Sequence, residues 1–238
     1  MSDFVVVIPA RYASERLPGK PLRDIVGKPM IVHVHMRGME SDARETIIAT
    51  DDERIAEAAE AAGATICMTS DHHRSGSERI AEVCDIMDWS DDVCVVNLQG
   101  DEPTMPPSLI NQAAGLLDRG DADIGTLASP LTDQREFENP NVVKAVVDDD
   151  GFAKYFTRLD VLPDDRKRAL QHHGIYAYRA GKLRQMVAAE PSELELREKL
   201  EQIRALDLGM AIRVGIPDQR PGPGVDTEED LASVAKLL

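Results

Sequence analysis

Phe4-Val-Val-Val-Ile-Pro-Ala-Arg11 is the stretch that decides the fold class of this chain. Its apolar run from Phe4 to Ile8 is rich in β-branched residues, which is typical of a central parallel strand buried on both faces, and it ends at Pro9. Similar short runs recur along the chain and alternate with helical patterns: strands at 46–50, 65–68 and 93–98, helices at about 30–40, 52–62 and 77–88. This alternation predicts an α/β fold with a mostly parallel central sheet and helices on both faces.

The pattern changes after about residue 124. Strand-like segments with few helices between them predict a smaller mixed β subdomain with antiparallel pairing, at 124–128, 143–147, 153–157 and 174–178. Ser192 and Glu195 have the spacing of a capping box, so we expect a helix from there to about Leu206, and a last helix from Thr227. The 238 residues predict one domain of two halves, about 1–125 and about 126–238.

Composition limits the classes of partner. The net charge of −16 argues against nucleic-acid polymers and anionic membrane surfaces, because both need a basic footprint. No window approaches the roughly 18 apolar residues of a membrane span and no secretory signal is evident, so we expect a soluble, cytoplasmic protein. Cys67, Cys84 and Cys94 fit neither a zinc site nor a redox pair and are predicted to be small buried hydrophobic residues.

Basic side chains concentrate at the N-terminus. Residues 1–28 hold five basic and three acidic side chains, a charge of +2 that leaves −18 for the remainder. The loop 9–21 places Arg11, Arg16 and Lys20 after the first strand, at the sheet edge where open α/β folds bind ligands. Such side chains can hold a triphosphate and neutralise a leaving pyrophosphate, although solvated surface charge is the alternative.

Two aspartates have two interpretations each. Asp101 follows the strand predicted at 93–98, either as a metal ligand or as a turn residue. Asp226 and Glu229 have the spacing of a helix N-cap and its N3 position, which on sequence alone favours a cap, although the same carboxylate can also bind a metal.

Two further motifs are equally open. Ser75-Gly-Ser-Glu-Arg79 precedes a helix, so a plain cap competes with binding of a base or an anion. Of His172 and His173, at most one is expected to face a cleft, because neighbours in a strand point to opposite sides. His72 and His73 are expected to be solvated.

Several motifs spread over nearly the whole chain match one family. The most specific is Ile8-Pro-Ala-Arg-Tyr-Ala-Ser-Glu-Arg-Leu-Pro-Gly-Lys-Pro-Leu22. The others are Gly27–Val34, Ala49–Asp51, Ser75–Arg79, Val96–Pro103, Asn139–Lys144, Gly174–Arg179, Lys199–Leu206 and Val225–Leu231. With these motifs the chain resembles the bacterial CMP-Kdo synthetases, which activate 3-deoxy-manno-octulosonate (Kdo) with CTP. The resemblance implies a GT-A-like nucleotidyltransferase fold.

The resemblance also implies site residues. CTP is expected to contact Pro9, Ala10, Arg11, Lys20, Ser75, Gly76, Arg79, Gln99 and Asp101, with Ser75 and Gly76 selecting cytosine. The sugar acid is expected to contact Gln99, Arg158, His172, Tyr176, Glu201 and Gln202. Asp101 and Asp226 are expected to hold Mg²⁺, and together with Arg11, Arg16 and Lys20 they form the implied catalytic set. The implied halves are a CTP-binding half before about 125 and a sugar-binding, homodimer-forming half after it.

The sequence departs from the family after Arg158, where Leu159-Asp-Val-Leu-Pro163 replaces an Ile-Pro-aromatic stretch and a longer insertion. His173 also replaces an expected apolar residue. The departures leave the sugar acid open, so cytidylyltransferases for 8-amino-Kdo or a sialic acid are the alternatives. A catalytically silent nucleotide-binding regulatory protein is the alternative of another class, and two intact metal carboxylates argue against it.

Overall fold

A computed structural model describes residues 3–13 and 17–238. The strands are β1 (Phe4–Ala10), β2 (Asp24–Ile25), β3 (Lys28–Pro29), β4 (Glu45–Thr50), β5 (Thr65–Met68), β6 (Cys94–Asn97), β7 (Ile124–Pro130), β8 (Lys144–Val147), β9 (Ala153–Thr157), β10 (Ala169–Arg179) and β11 (Ile212–Gly215). The helices are α1 (Met30–Met39), α2 (Glu53–Glu60), α3 (Gly76–Ile86), α4 (Pro107–Gly115), α5 (Gln134–Glu138), α6 (Ala180–Ala188), α7 (Glu193–Glu198), α8 (Gln202–Asp207) and α9 (Glu228–Val234). Short 3-10 helices cover Lys20–Leu22 and Pro163–Arg168.

One large sheet connects both halves of the chain. Its main strand order is β11-β7-β10-β6-β1-β4-β5, with β8 pairing β10 and β9 pairing β8. Strands β6, β1, β4 and β5 are parallel, whereas β10 runs antiparallel to β6, β7 and β8. The predicted α/β class, with a mostly parallel first half and mixed pairing in the second, is confirmed.

The central strand β1 is buried on both faces, as its apolar run predicts. Val5 and Val7 belong to one apolar cluster with side chains of α3 and α6. Phe4, Val6 and Ile8 belong to a second cluster with side chains of α1 and α4. A fully buried aliphatic side chain of this size contributes about 1.5–3 kcal/mol, so β1 is the anchor from which the following loop is positioned.

The structure extends β1 beyond its predicted end. Pro9 pairs with Ala49 and Ala10 with Thr50, whereas the pairing of β1 with β6 stops at Val7. Beyond Val7 the strand has a partner on one side only, and a proline without an N–H is tolerated there.

The helix predicted from Ser192 to Leu206 is wrong in its extent, because it is two helices. Lys199 takes a left-handed conformation with φ 54° and ends α7, and α8 begins at Gln202. Ser192 does cap α7, but the carboxylate of Glu195 accepts from Arg204 Nε at 2.8 Å and does not complete a capping box. Helices α4, α5 and α6 were not predicted either.

The cap of the last helix also differs from the sequence prediction. Thr227, and not Asp226, is the N-cap of α9, with Asp230 completing a reciprocal capping box. The carboxylate of Asp226 is thereby released from the capping role and lies at the cleft described below. The three cysteines are buried, as predicted. Within residues 3–13 and 17–238, no helix has the length and apolar character needed to cross a membrane.

Candidate active site

A cleft of about 810 Å³ opens where β1 and β6 end. All residues predicted to contact the nucleotide line it: Pro9, Ala10, Arg11, Lys20, Ser75, Gly76, Arg79, Gln99 and Asp101. Asp226 lines it as well. Loops after neighbouring parallel strands meet at one sheet edge, which is why residues far apart in sequence converge here.

The loop after β1 is held by a small apolar cluster. Leu17 is buried with Ile25 and Met30 from the residues that follow it and with Val225 and Val234 from the C-terminal segment. This cluster fixes the loop against the segment that carries Asp226. Gly19, with φ 66°, then turns the chain, and its N–H donates to the carbonyl oxygen of Tyr12 at 3.3 Å. Packing therefore places Lys20 beside the C-terminal segment.

The ammonium group of Lys20 connects the two predicted metal ligands. Its Nζ lies 2.6 Å from Asp101 Oδ2 and 3.1 Å from Asp226 Oδ1, and it donates to the carbonyl oxygen of Val225 at 2.7 Å. The N–H of Val225 donates to the carbonyl oxygen of Asp101 at 2.9 Å, which holds the two segments together. Burial lowers the pKa of Lys20, but the two carboxylates outweigh burial and raise the pKa above its ordinary value. Lys20 therefore stays positively charged at the cleft.

Glu102 is a carboxyl group that the sequence reasoning did not single out. Burial, followed by the charges of Asp101 and Asp226, raises the pKa of Glu102 to about 8. The Glu102 side chain packs against Gly224, where an added Cβ would lie 2.9 Å from Glu102 Oε1. Glu102 is therefore largely neutral at physiological pH, whereas Asp101 and Asp226 set two carboxylates against the one Lys20 ammonium group, and this excess of negative charge favours a cation at the site.

Asp101 and Asp226 fit a magnesium ion by their chemistry. Their side chains are 35% and 47% exposed, and both direct an oxygen to the one position now taken by the Lys20 ammonium group. In the part of the chain that the structure describes, no group of three histidine, cysteine, aspartate or glutamate side chains is arranged to hold a metal. Two carboxylates completed by water and phosphate oxygens are the kind of ligand set that Mg²⁺ prefers.

Ser75 and Gly76 begin α3 at the wall of the cleft. The Ser75 hydroxyl accepts from the Glu78 N–H at 3.2 Å, so the cap that competed with ligand binding in the sequence is present. Gly76 packs against β1, since a Cβ there would lie 3.1 Å from Pro9 Cγ. The helix start is thereby held against the strand end.

Arg79 and His73 hold the loop between β5 and α3. Arg79 is buried and donates to the Thr69 hydroxyl and to the carbonyl oxygen of Ser70. It also forms an ion pair with Asp51, at 3.1 Å between Arg79 Nη2 and Asp51 Oδ2. The prediction that His73 is solvated is wrong, because its Nε2 lies 2.6 Å from Glu82 and its side chain is only 18% exposed. His73 and Glu82 are nine residues apart in the sequence, and no sequence motif predicts that they pair. His72 is exposed, as predicted.

The predicted arginines of the loop have different outcomes. Arg11 is exposed at the cleft, and its side chain makes no ion pair with any residue in the described ranges. Arg16 lies outside the described residues.

The predicted sugar-binding residues, apart from Gln99, do not line this cleft. Gln99 donates to Asn97 Oδ1 at 3.0 Å. Arg158 is tied to α7, where its Nε donates to the carbonyl oxygen of Glu198 at 3.0 Å. Gln202 is 6% exposed, and its Nε2 has no hydrogen-bond partner within residues 3–13 and 17–238.

His172 and His173 point to opposite faces of β10, as predicted for strand neighbours. His172 Nε2 lies 2.9 Å from Thr126 Oγ1, and its ring packs 5.2 Å from the ring of Tyr176. Burial lowers the pKa of His172 to about 3, so the ring is neutral at physiological pH. His173 Nε2 lies 2.7 Å from Ser129 Oγ, and burial lowers the pKa of His173 to about 4.

The side chain of Glu201 connects the second half of the chain to the first. Both carboxylate oxygens of Glu201 accept serine hydroxyls of the first half, from Ser75 and from Ser77, each at 2.6 Å. The residue predicted for the sugar acid is thus also in contact with the predicted cytosine loop.

Comparisons with known proteins identify relatives over nearly the whole chain. Residues 5–212 match a family model described as Cytidylyltransferase. The 3-deoxy-manno-octulosonate cytidylyltransferase 1 of Actinobacillus pleuropneumoniae serotype 5b (strain L20) is 49% identical over 249 residues, which covers 99% of this chain and 99% of that protein. A solved structure of CMP:2-keto-3-deoxy-manno-octonic acid synthetase complexed with CTP has a TM-score of 0.92 at 40% identity, covering 99% of this chain and 98% of that chain. A 4-diphosphocytidyl-2C-methyl-D-erythritol synthase has a TM-score of 0.67 at 16% identity, covering 100% and 99%, and shares the fold.

Proposed function

Because the chain belongs to the cytidylyltransferase family, we propose that it transfers CMP from CTP to the anomeric hydroxyl of Kdo, giving CMP-Kdo and pyrophosphate. The observation that carries this proposal is the cluster of Lys20, Asp101 and Asp226 at the mouth of a cleft lined by the nucleotide motifs. The relatives named for this chemistry match the chain over nearly its whole length.

The side chains of the first half act on the phosphates. Arg11, exposed at the cleft, and Lys20, held in position by its carboxylates, supply positive charge where pyrophosphate charge develops. The anomeric oxygen forms a bond to the α-phosphorus as the bond to the bridging oxygen breaks. Pyrophosphate leaves with that electron pair, and the hydroxyl proton is released. Positioning of the two reactants accounts for much of the acceleration.

Asp101 and Asp226 would hold the magnesium ion. When bound, the ion supplies Lewis-acid polarisation of the phosphate oxygens and makes the sugar hydroxyl more acidic. The ammonium group of Lys20 can move from these carboxylates to a phosphate oxygen, because the four-carbon side chain of lysine is flexible.

The acceptor half supplies uncharged polar groups for the sugar acid, beside the charged side chains of Arg158 and Glu201. His172 and Tyr176 pack together, and burial raises the pKa of the Tyr176 phenol, so both remain uncharged and can make hydrogen bonds to hydroxyl groups. Gln202 offers an amide Nε2 that has no hydrogen-bond partner in the described ranges. These groups support a polyhydroxylated acceptor.

We also propose a homodimer formed through the second half. Leu159, Leu162 and Leu196 are exposed there, at 65%, 69% and 64%. Leu159 and Leu162 are three residues apart, and exposed apolar side chains that form one patch mark sites where chains associate. Light scattering coupled to gel filtration tests the dimer.

We further place the reaction in the cytoplasm, where CTP is available, as a step in lipopolysaccharide biosynthesis.

Pyrophosphate release tests the proposed reaction. The protein is supplied with CTP and Mg²⁺ and with Kdo, 8-amino-Kdo or N-acetylneuraminate separately, with UTP and ATP as nucleotide controls. We expect turnover with CTP and Kdo. A preference for another acceptor would retain the chemistry and revise the sugar, whereas CTP binding without turnover on any acceptor would contradict the proposal in favour of a silent nucleotide-binding protein.

A further inference from the structure

Glu201 joins the two halves of the site through two serine hydroxyls. It lies between α7 and α8, after the left-handed Lys199, and its Oε1 and Oε2 lie 2.6 Å from Ser75 Oγ and 2.6 Å from Ser77 Oγ. No lysine, arginine or histidine in the described ranges forms an ion pair with this carboxylate. Its short contacts are therefore those with the two serines.

The direction of these hydrogen bonds follows from chemistry. An ionised carboxylate only accepts, so Ser75 and Ser77 must each donate their single hydroxyl proton to Glu201. Ser75 Oγ also accepts the N–H of Glu78 at 3.2 Å. A hydroxyl has one proton and two lone pairs, so Ser75 retains one lone pair and no proton for a ligand.

Ser75 is thereby a hydrogen-bond acceptor toward the cleft that it lines. Cytosine carries a donating amino group at C4, whereas uracil carries an accepting carbonyl oxygen at the corresponding position. Because the Ser75 hydroxyl donates its proton to Glu201, it can only accept toward the base. It therefore favours the amino group of cytosine and repels the carbonyl oxygen of uracil. Without Glu201, the Ser75 hydroxyl is free to rotate and donate, and it suits either base.

We propose that Glu201 is a positioning residue for nucleotide selectivity, which orients the Ser75 hydroxyl as an acceptor for the 4-amino group of cytosine. The inference rests on the proposed function, since it assumes that the base binds beside Ser75 and Gly76. It gives a residue of the acceptor half control over recognition of the nucleotide.

Two serines under one carboxylate provide a matched pair for the test. Ser75 lines the cleft, whereas Ser77 is buried and 2% exposed, and the two make equal contacts with Glu201. The experiment measures kcat/KM for CTP and for UTP in the pyrophosphate assay with Kdo. It uses the wild type, Glu201→Ala, Ser75→Ala, the double variant and Ser77→Ala.

We expect Glu201→Ala to lower the CTP-to-UTP ratio by at least about tenfold, mainly through KM for the nucleotide, because a hydrogen bond with a fixed acceptor is lost. Ser75→Ala should lower the ratio similarly, and the double variant should lower it no further, because both changes act on one hydroxyl. Ser77→Ala should leave the ratio unchanged.

Three results would overturn the inference: an equal loss for CTP and UTP in Glu201→Ala, an unchanged ratio in Ser75→Ala, or full additivity in the double variant. The Ser75→Ala result decides the matter even if Glu201→Ala does not fold, since loss of an N-cap hydroxyl costs only about 1 kcal/mol. Calorimetric dissociation constants for CTP and UTP provide the same ratio without turnover. A wild type that binds CTP selectively but makes no product would therefore contradict the proposed function and not this inference.

Discussion

Lys20 and Lys144, one in each half of the chain, hold their ammonium groups in opposite environments. Lys20 is 15% exposed and contacts two carboxylates, whereas Lys144 is 0% exposed and donates to the carbonyl oxygens of Asn139, Val142 and Arg158 at 2.8–2.9 Å. Burial lowers the pKa of both lysines, but only at Lys20 do neighbouring carboxylates reverse the effect. The first half therefore presents its charge to a ligand, whereas the second half uses buried polar groups to hold its own backbone.

This difference predicts where function and stability separate. Substitutions in the cluster around Lys20 should affect turnover far more than the free energy of unfolding. Substitutions around Lys144 should do the reverse.

Replacing a carboxylate of the first half should have the largest effect. Asp101→Asn keeps the size of the side chain but removes the charge that would face Mg²⁺, so we expect kcat to fall roughly 10³-fold or more. The free energy of unfolding from urea titration should change by less than about 1 kcal/mol. Asp149→Asn, at an exposed carboxylate paired with Arg168, is the control and should retain full activity. Full turnover in Asp101→Asn would refute the proposed mechanism.

Lys20→Met should be second. Its loss removes a positive charge from the leaving pyrophosphate, and kcat/KM for CTP should fall roughly 10²-fold in the pyrophosphate assay. Stability should change by about 1 kcal/mol at most, because the ion pairs are partly exposed. Lys28→Met, at an exposed lysine of the same basic segment, serves as the control. If Lys28→Met were equally damaging, general charge and not the position of Lys20 would be responsible.

Lys144→Met should reverse the pattern. Three backbone carbonyl groups lose their donor, so we expect the free energy of unfolding to decrease by about 3 kcal/mol, at about 1 kcal/mol for each. The folded fraction should retain CTP binding within a few-fold. Lys154→Met, at an exposed lysine of β9, should change stability by less than about 0.5 kcal/mol. A stable but inactive Lys144→Met protein would break the comparison between the two lysines.

The sequence predicted where the strands of the first half end, for a physical reason, but it did not predict every side-chain contact. Parallel strands end at one edge, so a strand pattern alone places Asp101 beside the loop of Lys20. Asp226 and Thr227 are adjacent polar residues, and the sequence spacing does not decide which of them caps α9; in the structure it is Thr227. The pairing of His73 with Glu82 and the high pKa of Glu102 depend on which groups become buried together, and only the tertiary structure determines that.

Buried histidines should make the second half sensitive to acid. A histidine of the unfolded chain titrates near pH 6.5, but burial lowers the pKa of folded His173 to about 4. As the pH falls from 6.5 to 4, the unfolded state takes up a proton that the folded state refuses, so stability is lost by up to about 1.4 kcal/mol per pH unit. His173→Leu should reduce that slope by about 1 kcal/mol per pH unit in urea titrations at several pH values. His72→Gln, at an exposed ring, should leave the slope unchanged, and an equal slope in His173→Leu would show that folding does not lower the pKa of His173.

The smallest expected effect tests the break between α7 and α8. Lys199 has φ 54°, a conformation that costs a residue with a Cβ about 1 kcal/mol but costs glycine little. Because glycine also makes the unfolded chain more flexible, we expect Lys199→Gly to stabilise the protein by about 0.5 kcal/mol and to raise Tm by about 1–2 °C. Arg197→Gly, inside α7, should instead lower stability by about 1 kcal/mol. If both variants were destabilised alike, residues 193–206 would form one continuous helix, and Glu201 would no longer be carried to Ser75 by the turn that now separates the two helices.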